Sequence, residues 1–524
     1  MPDAFSADVA EQVLAAGGNA VDATVAAGFV LAVTYPEAGN IGGGGFMTLQ
    51  FDGRPAFLDY RETAPATAYR DMYLDEDGNV IKDLSFVGHL AIGVPGTVAG
   101  LWAAHQKHGS LPWSDLIAPA VGFAKAGFVV SSHLASRVSD DMPNFEGRTN
   151  FHDYFGGVAA GQRFIQPELA ATLERIAADG PDDFYTGKTS QLIVDEMQRG
   201  QGLVSADDLA GYETAWRAPI VVDWRGYQVI SAPLPSSGGF GVAQLLKMKD
   251  YLATEFEGQE HNSVRYVHLI AEIEKRVFAD RAEYLGDPDF VEADMARLVS
   301  NEYVNRRAEE VQLESISRLD DVRPGTRESA NTTHFSIVDK WGNAVANSYT
   351  LNGWFGSGVV VEGGGFLLNN EMDDFSAKPG VPNYYGVVGD SANAIEPGKR
   401  MLSSMSPTIL LRDGKSVMVL GTPGGSTIFT SVFQAIVNII DFGMSPAQAV
   451  AATRFHHQLL PPEKVTYSPC CPLPDATIDG LRAMGYEPVP HRYEFGDLQL
   501  IWFDGEGYQA ASDPRHRGES RVIN

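Results

Sequence analysis

The segment Thr332-Thr-His-Phe-Ser-Ile-Val-Asp-Lys-Trp-Gly-Asn-Ala-Val-Ala-Asn-Ser-Tyr-Thr-Leu-Asn352 alternates between apolar and polar residues on either side of Lys340-Trp-Gly-Asn343. Thr332 to Asp339 and Ala344 to Leu351 therefore read as two strands of one hairpin. Immediately upstream, Asp320-Asp-Val-Arg-Pro-Gly-Thr-Arg-Glu-Ser-Ala330 has no periodic pattern and reads as an exposed polar linker. A threonine at the junction of such a linker and a strand is an unusual placement. If the bond before it were cut, the strand would begin with an α-amine beside a hydroxyl. An amine with an ordinary pKa of about 8 can take the hydroxyl proton, so the two groups form a self-contained nucleophile and base. Spacing alone favours the plainer reading, a linker feeding an ordinary strand.

Outward from this hairpin, the pattern is mixed. Ser6 to Gly17 has helical apolar spacing stopped by Gly17-Gly18, and Asn19 to Val33 is so uniformly rich in Ala and Val that it reads as a helix buried on most sides. After Asn40-Ile-Gly-Gly-Gly-Gly45, the segments Phe46 to Phe51 and Ala56 to Tyr60 read as strands joined by an Asp52-Gly53 turn. Residues 95 to 320 are mostly helical in pattern. They include a long helix, Val264 to Tyr284, with acidic and basic residues interleaved on one face. A strand, Pro219 to Ser231, and a Pro/Ser/Gly loop, Pro233 to Gly239, interrupt them. Beyond residue 332, Ser416 to Leu420 and Leu498 to Phe503 read as strands, with helices at Ser426 to Phe442 and Pro446 to Thr453. Strands and helices in both halves predict one sandwich of sheets covered by helices, an α+β architecture.

Composition narrows the function. With 39 basic against 67 acidic residues, the net charge of −28 repels phosphate backbones and anionic lipids, which argues against nucleic-acid partners. No apolar run reaches the roughly 18–20 residues of a membrane-spanning helix, so no membrane span is expected. No signal peptide is visible in the opening residues, which fits either a cytosolic protein or a targeting segment absent from this chain. The adjacent Cys470 and Cys471 exclude a disulfide framework and read as two ordinary loop thiols. His334 and the pair His456-His457 invite a metal reading, but adjacent histidines splay apart and no zinc-knuckle spacing accompanies them, so no metal is expected.

The residues of the hairpin add more than its spacing does. Thr332 to Asn352 resembles the signature of the γ-glutamyltransferase (γ-glutamyltranspeptidase) family. The likeness continues through Phe355-Gly-Ser-Gly358, Leu367-Leu-Asn-Asn-Glu-Met-Asp-Asp-Phe375, Leu402-Ser-Ser-Met-Ser-Pro-Thr408 and Gly421-Thr-Pro-Gly-Gly-Ser426. Upstream it includes Gly17 to Ala23, Asn40 to Gly45, Asp59-Tyr-Arg-Glu62 and Pro233 to Gly239, and near the end Ala511-Ser-Asp-Pro-Arg515. Many long motifs in order across nearly the whole chain make coincidence improbable.

The resemblance implies an N-terminal nucleophile hydrolase with a four-layer αββα sandwich that matures by self-cleavage between Asn331 and Thr332. The products would be a large subunit, 1–331, and a small catalytic subunit, 332–524, which stay together as a heterodimer forming one unit. It implies Thr332 as nucleophile, Thr350 as its hydrogen-bonding partner, and Gly424 and Gly425 as the oxyanion hole. Arg61, Ser403 and Ser404 would hold the α-carboxylate of a γ-glutamyl substrate such as glutathione, and Asn352, Glu371 and Asp374 its α-amine. Ala377 to Lys399 resembles the family's lid, with Tyr385 at its tip. No cofactor is implied, and a periplasmic or secreted location is expected from the family. Without that context, Arg61 reads as a surface ion pair with Glu62 or Asp59, and Asp373-Asp374 as a solvated turn. Ser348 replaces the family's usual threonine and keeps its hydroxyl. The sequon Asn331-Thr-Thr reads as coincidence, because a glycan there would obstruct cleavage.

Three other readings compete. One is an acylase of the same family acting on glutaryl-cephalosporins, against which Arg61 together with Asp374 argues, since a glutaryl group has no α-amine. The second is a poly-γ-glutamate-processing enzyme. The third is an unprocessed, non-catalytic binding protein on the same scaffold.

Overall fold

The computed structural model describes residues 1–318, 332–376, 378 and 391–523. The expected linker, Asn331 and Tyr385 all lie outside these residues.

Five strands from the first half and six from the second build two sheets among the described residues. The first half supplies β1 (Gly44–Phe51), β2 (Arg54–Tyr60), β3 (Ala215–Arg217), β4 (Ile220–Trp224) and β5 (Tyr227–Ser231). The second supplies β6 (Thr333–Val338), β7 (Ala344–Thr350), β8 (Thr408–Arg412), β9 (Lys415–Gly421), β10 (Gln499–Phe503) and β11 (Tyr508–Ser512). One sheet runs β3-β2-β1-β7-β6 and the other β11-β10-β9-β8-β5-β4. Each sheet therefore joins the two halves by a strand pair: β1 with β7, from Gly44↔Thr350 to Gln50↔Ala344, and β5 with β8, centred on Val229↔Leu410.

Helices cover the outer faces. Over the first sheet lie α1 (Ala4–Ala15), α2 (Ala20–Thr34), α3 (Thr97–His108), α4 (Trp113–Ala126) and α5 (Pro167–Asp179). Over the second lie α6 (Gly238–Tyr251), α7 (Val264–Tyr284) and α8 (Thr427–Ile440). The sheets face each other directly, β9 against β6 and β7, and β10 against β6. The fold is thus the expected αββα sandwich.

Side-chain alternation separates the core beneath the helices of the first sheet from the core between the sheets. Met47 and Leu49 of β1, Val345 and Tyr349 of β7, and Phe335 and Ile337 of β6 point to the helices. Between the sheets, Ala344 and Ala346 meet Ile230, Ile409 and Val419, and small side chains there let the sheets approach. Helix α2 is buried at every residue and starts at a capping box, in which Asn19 Oδ1 accepts from the backbone N of Asp22 while Asp22 Oδ2 accepts from that of Asn19.

Two expectations need correction. Pro219 to Ser231 is not one strand but the β4–β5 hairpin, with Arg225 (φ 48) and Gly226 (φ 78) forming a two-residue turn that pairs Trp224 with Tyr227. Alternation runs through this turn, and Arg-Gly lacks the Asn-Gly signal that would betray it. Pro233 to Gly239 is not all loop, since Gly238 and Gly239 form the first turn of α6. The interleaved charges of α7 lie inside the protein, where Glu272, Glu274, Lys275, Arg276, Asp280 and Arg281 are all buried.

Candidate active site

Register places the two threonines of the central hairpin side by side. Thr333 pairs with Tyr349, so Thr332, at the mouth of β6, comes opposite Thr350, the last residue of β7. Both are buried and line one small cavity at the edge of the sandwich, together with Arg61, Glu371, Asp374 and Ser404. Asn352, Ser403 and Gly425 line it as well, as do Met405 and Ile428. Gly424 does not reach the wall and sits one residue behind it. A larger cleft opens at the far end of the same hairpin, beside Trp341 and Tyr508, and holds none of the predicted site residues.

Arg61 follows β2 and is almost fully buried, at 1% exposure. Its guanidinium does not take the surface pair that local sequence suggests. Nη1 lies 2.7 Å from Glu371 Oε2 and 3.6 Å from Glu62, Nη2 binds Asp374 Oδ2, and Nε donates to the Met401 carbonyl at 3.4 Å. Asp59 instead accepts from the Arg61 backbone N at 3.0 Å and pairs with Arg217 at 2.8 Å. Glu371 to Asp374 form a single 3-10 turn, which carries both carboxylates to the same guanidinium. Asp373 is buried and accepts from the Ser85 hydroxyl, so this acidic run is not a solvated turn.

Charges in this pocket are strongly perturbed. Burial would lower the basicity of Arg61, but Glu371, Asp374 and Glu62 reverse that and hold it protonated. Burial pushes Glu62 up to about 8 against the pull of Arg61. It also pushes Glu371 well above the usual carboxylate range, and Asp374 above its ordinary value, with Arg61 opposing both shifts.

The serine loop is held from below. Ser403 accepts at its carbonyl from the backbone N and hydroxyl of Ser237, at 2.8 and 2.9 Å, and its own N donates to Pro235. The motif Pro233 to Gly239 is thus the seat of the motif Leu402 to Thr408. Asn352 takes a left-handed conformation (φ 70), in which its N donates to Thr350 Oγ1 at 2.7 Å and Nδ2 to the Asn370 carbonyl at 3.0 Å. Gly424 and Gly425 form the entry to α8, with φ of +141 and +56. A Cβ on Gly424 would lie 2.4 Å from Thr427 Oγ1. Gly425 lines the cavity at this helix entry, an end of a helix where negative charge is favoured.

The histidines hold structural contacts. His334 joins Ser348 (2.7 Å) and Ser336 (3.0 Å) between the sheets, so the serine at 348 keeps a working hydroxyl. His456 joins Thr430 and Gln458, and His457 joins the Pro462 carbonyl. Cys470 is exposed, and its sulfur accepts from Arg515 Nε at 3.3 Å. Sequence reasoning missed Arg281 of α7. It is buried and donates from Nε to Ser237 Oγ at 2.9 Å and from Nη2 to Ser404 Oγ at 3.3 Å. Its only sequence signal was membership of a charged helix.

A sequence model of the family described as Gamma-glutamyltranspeptidase matches residues 6–523. The chain is 59% identical over 522 residues to a Pseudomonas aeruginosa protein described as glutathione hydrolase proenzyme, covering 100% of this chain and 94% of that one. Among solved structures, gamma-glutamyltranspeptidase from Pseudomonas nitroreducens complexed with L-DON is 55% identical, with a TM-score of 0.61 over 62% of this chain and 97% of that chain. Cephalosporin acylase from Bacillus halodurans is 25% identical, with a TM-score of 0.84 over 99% of this chain and 94% of that chain.

Proposed function

This chain belongs to the gamma-glutamyltranspeptidase family, and from that premise we propose that it is a γ-glutamyltransferase and glutathione hydrolase acting through Thr332. It is an enzyme, made as a precursor. Self-cleavage between Asn331 and Thr332 gives chains 1–331 and 332–524. The 62% of this chain that the Pseudomonas nitroreducens structure covers is close to the share of residues 1–331 in 524, which supports that division. The interleaved strand pairs support a heterodimer that persists after the cut, since β1–β7 and β5–β8 both cross it.

In the processed enzyme, the Thr332 amine takes the Oγ proton as Oγ attacks the γ-carbonyl of a γ-glutamyl amide. The C–N bond then breaks, and the proton passes to the leaving amine. The product is a γ-glutamyl ester on Thr332. Water or an amino acid's amine attacks that ester, and Oγ leaves with its proton restored. Thr350 lies beside the nucleophile, and the Gly424 and Gly425 N–H groups at the α8 entry serve the oxyanion. In the free protein Arg61 is bound by Asp374. A glutamyl head group carries both a carboxylate and an ammonium, so it satisfies Arg61 and Asp374 by exchange, with Ser403 and Ser404 on its carboxylate side and Glu371 and Asn352 near its amine.

The observation that carries this reading is the convergence on one cavity of a strand-opening threonine with a buried Arg–Glu–Asp cluster. A denaturing gel with N-terminal sequencing of each band tests it. Two bands, the smaller beginning Thr-Thr-His-Phe, and loss of both processing and γ-glutamyl anilide cleavage in Thr332→Ala are expected. A single full-length band that persists on long incubation would overturn the mechanism. The structural likeness to a cephalosporin acylase favours one second reading, a glutaryl acylase. Parallel assays with γ-glutamyl and glutaryl anilides decide between them. A periplasmic or secreted location completes the proposal, and activity confined to the cytosolic fraction of the source cells would refute it.

A further inference from the structure

We propose that Tyr212 and Asp59 are positioning residues for substrate binding, which clamp the main chain of Arg61 so that its guanidinium stays aimed at the substrate's α-carboxylate when Asp374 is exchanged for substrate. The inference rests on the γ-glutamyl reading of the site and names two residues outside the cavity wall that act through one of its members.

Arg61 lies one residue past β2, where pairing with β1 and β3 has ended. Two side chains take over its backbone. Asp59 Oδ1 accepts from its N at 3.0 Å, and the Tyr212 phenol donates to its carbonyl at 2.9 Å. A carbonyl only accepts, so the one phenolic proton is committed to Arg61. Burial pushes the Tyr212 hydroxyl well above its ordinary range, so the donor persists in alkaline assays.

The seat of this phenol is built for it. The Tyr212 ring stacks on Tyr185, with centroids 5.7 Å apart and planes at 8°, and Tyr185 Oη donates to the Pro95 carbonyl at 3.0 Å. A Cβ on Gly96 would lie 2.0 Å from Tyr212 Oη and 2.2 Å from the Tyr60 carbonyl oxygen, so a glycine is needed for the hydroxyl to reach Arg61. Both oxygens of Asp59 are committed too. Oδ2 pairs with Arg217 Nε at 2.8 Å and lies 3.4 Å from Arg400 Nε. Arg400 leads into Met401 and the serine loop, so Asp59 also joins Arg61 to the root of that loop.

The clamp matters most when substrate is bound. In the free protein Glu371 and Asp374 hold the guanidinium directly. After the exchange Asp374 faces the ammonium, and Arg61 keeps Glu371, the Met401 carbonyl and its fixed main chain. A long side chain with one contact fewer depends more on where its backbone is held.

The test compares wild type, Tyr212→Phe and Asp59→Asn. Processing into two chains and the thermal midpoint check the fold, and KM and kcat are measured with a γ-glutamyl anilide. Tyr212→Phe removes one oxygen and is expected to raise KM about fivefold, the value of one ordinary hydrogen bond, with kcat within about twofold. Asp59→Asn leaves one acceptor oxygen for both Arg217 and the Arg61 N, and should raise KM about tenfold with a similarly small effect on kcat. Competitive inhibitors separate the head-group contacts. L-Glutamate, and glutarate, which lacks only the amine, should weaken in step with KM, whereas 4-aminobutanoate, which lacks the α-carboxylate, should stay within about twofold. Equal weakening of all three inhibitors, or a lower thermal midpoint with KM unchanged, would overturn the proposal, because a merely structural role moves the whole pocket or stability alone. If either variant fails to fold, the inhibitor set applied to the other decides. Wild type that neither processes nor cleaves the anilide would strike the γ-glutamyl reading itself, whereas active wild type with indifferent variants strikes only the clamp.

Discussion

The role proposed for Thr332 rests on its position as much as on its hydroxyl, since a hydroxyl gains a base of its own only at a chain terminus. The binding residues instead depend on one another. Arg61 is buried among Glu62, Glu371 and Asp374, and a lone guanidinium or carboxylate at that depth would cost several kcal/mol without a partner. Asp374 is the most exposed member of the cluster, with 18% of its side chain accessible, and so the one best placed to trade Arg61 for a substrate ammonium. Asp374→Asn keeps the shape and removes the charge. It is expected to raise KM for a γ-glutamyl anilide by about 10- to 100-fold, the value of a charge-assisted hydrogen bond of about 1.5–3 kcal/mol, while processing continues. Unchanged KM in steady-state assays would remove Asp374 from the amine site. At this scale the sequence was informative wherever a motif carried the residue: Arg61, Glu371, Asp374, Ser403 and Ser404 do share one cavity wall. It was silent on Arg281 and on the perturbed Glu62, because their meaning lies in contacts between residues far apart in the chain, which no local pattern encodes.

Among the elements, the β6–β7 hairpin was legible because burial on both faces still left a clear alternation around a Gly342 turn. Helix α7 was legible in extent but not in setting. Interleaved charges usually mark a wet face, yet here Glu272 binds Lys275 at 2.6 Å and Arg276 at 2.9 Å inside the protein, and paired charges can be buried where single ones cannot. The run of glycines before β1 is explained only in three dimensions. A Cβ on Gly43 would lie 2.0 Å from the Thr350 carbonyl oxygen and 2.8 Å from Asn40 Oδ1, so no side chain fits between β7 and the loop that braces it. Asn40 itself donates to that same Thr350 carbonyl at 2.9 Å. Gly43→Ala must push the end of β7 away, and overpacking of this kind costs about 1–3 kcal/mol or more. The expected outcome is a lower thermal midpoint together with slowed self-processing, because the displaced residue is the neighbour of Thr332. Wild-type processing kinetics on a time-course gel would show that the contact relaxes without moving Thr350.

Over the whole molecule, each half contributes strands to both sheets, so neither half can complete a sheet alone. Cutting before Thr332 removes no strand pair, and the cores on both outer faces stay shared between the two chains. That same burial makes the molecule sensitive to acid. Burial first of all, with smaller charge effects, pushes His456 and His457 down to about 3 and His334 well below its ordinary value. Between about pH 6.5 and 3 the unfolded chain therefore binds protons that the folded one does not. The stability these histidines contribute is fully present above about pH 6.5 and is lost as pH falls through that window. Asp497, raised to about 6 by burial, and Glu274, raised well above its ordinary value by the same cause, act in the opposite sense, because the folded protein holds their protons longer. Replacing one histidine isolates its share. His457→Asn should lower the midpoint at pH 7, where the lost hydrogen bond to the Pro462 carbonyl and the cavity dominate. It should also flatten the fall from pH 6.5 to 4.5, by up to about 1.4 kcal/mol per pH unit. Calorimetric midpoints of processed wild type and variant at several pH values read this directly. Converging curves as pH drops confirm that a buried neutral imidazole sets part of the acid limit, and parallel curves would show that the carboxyl groups set it alone.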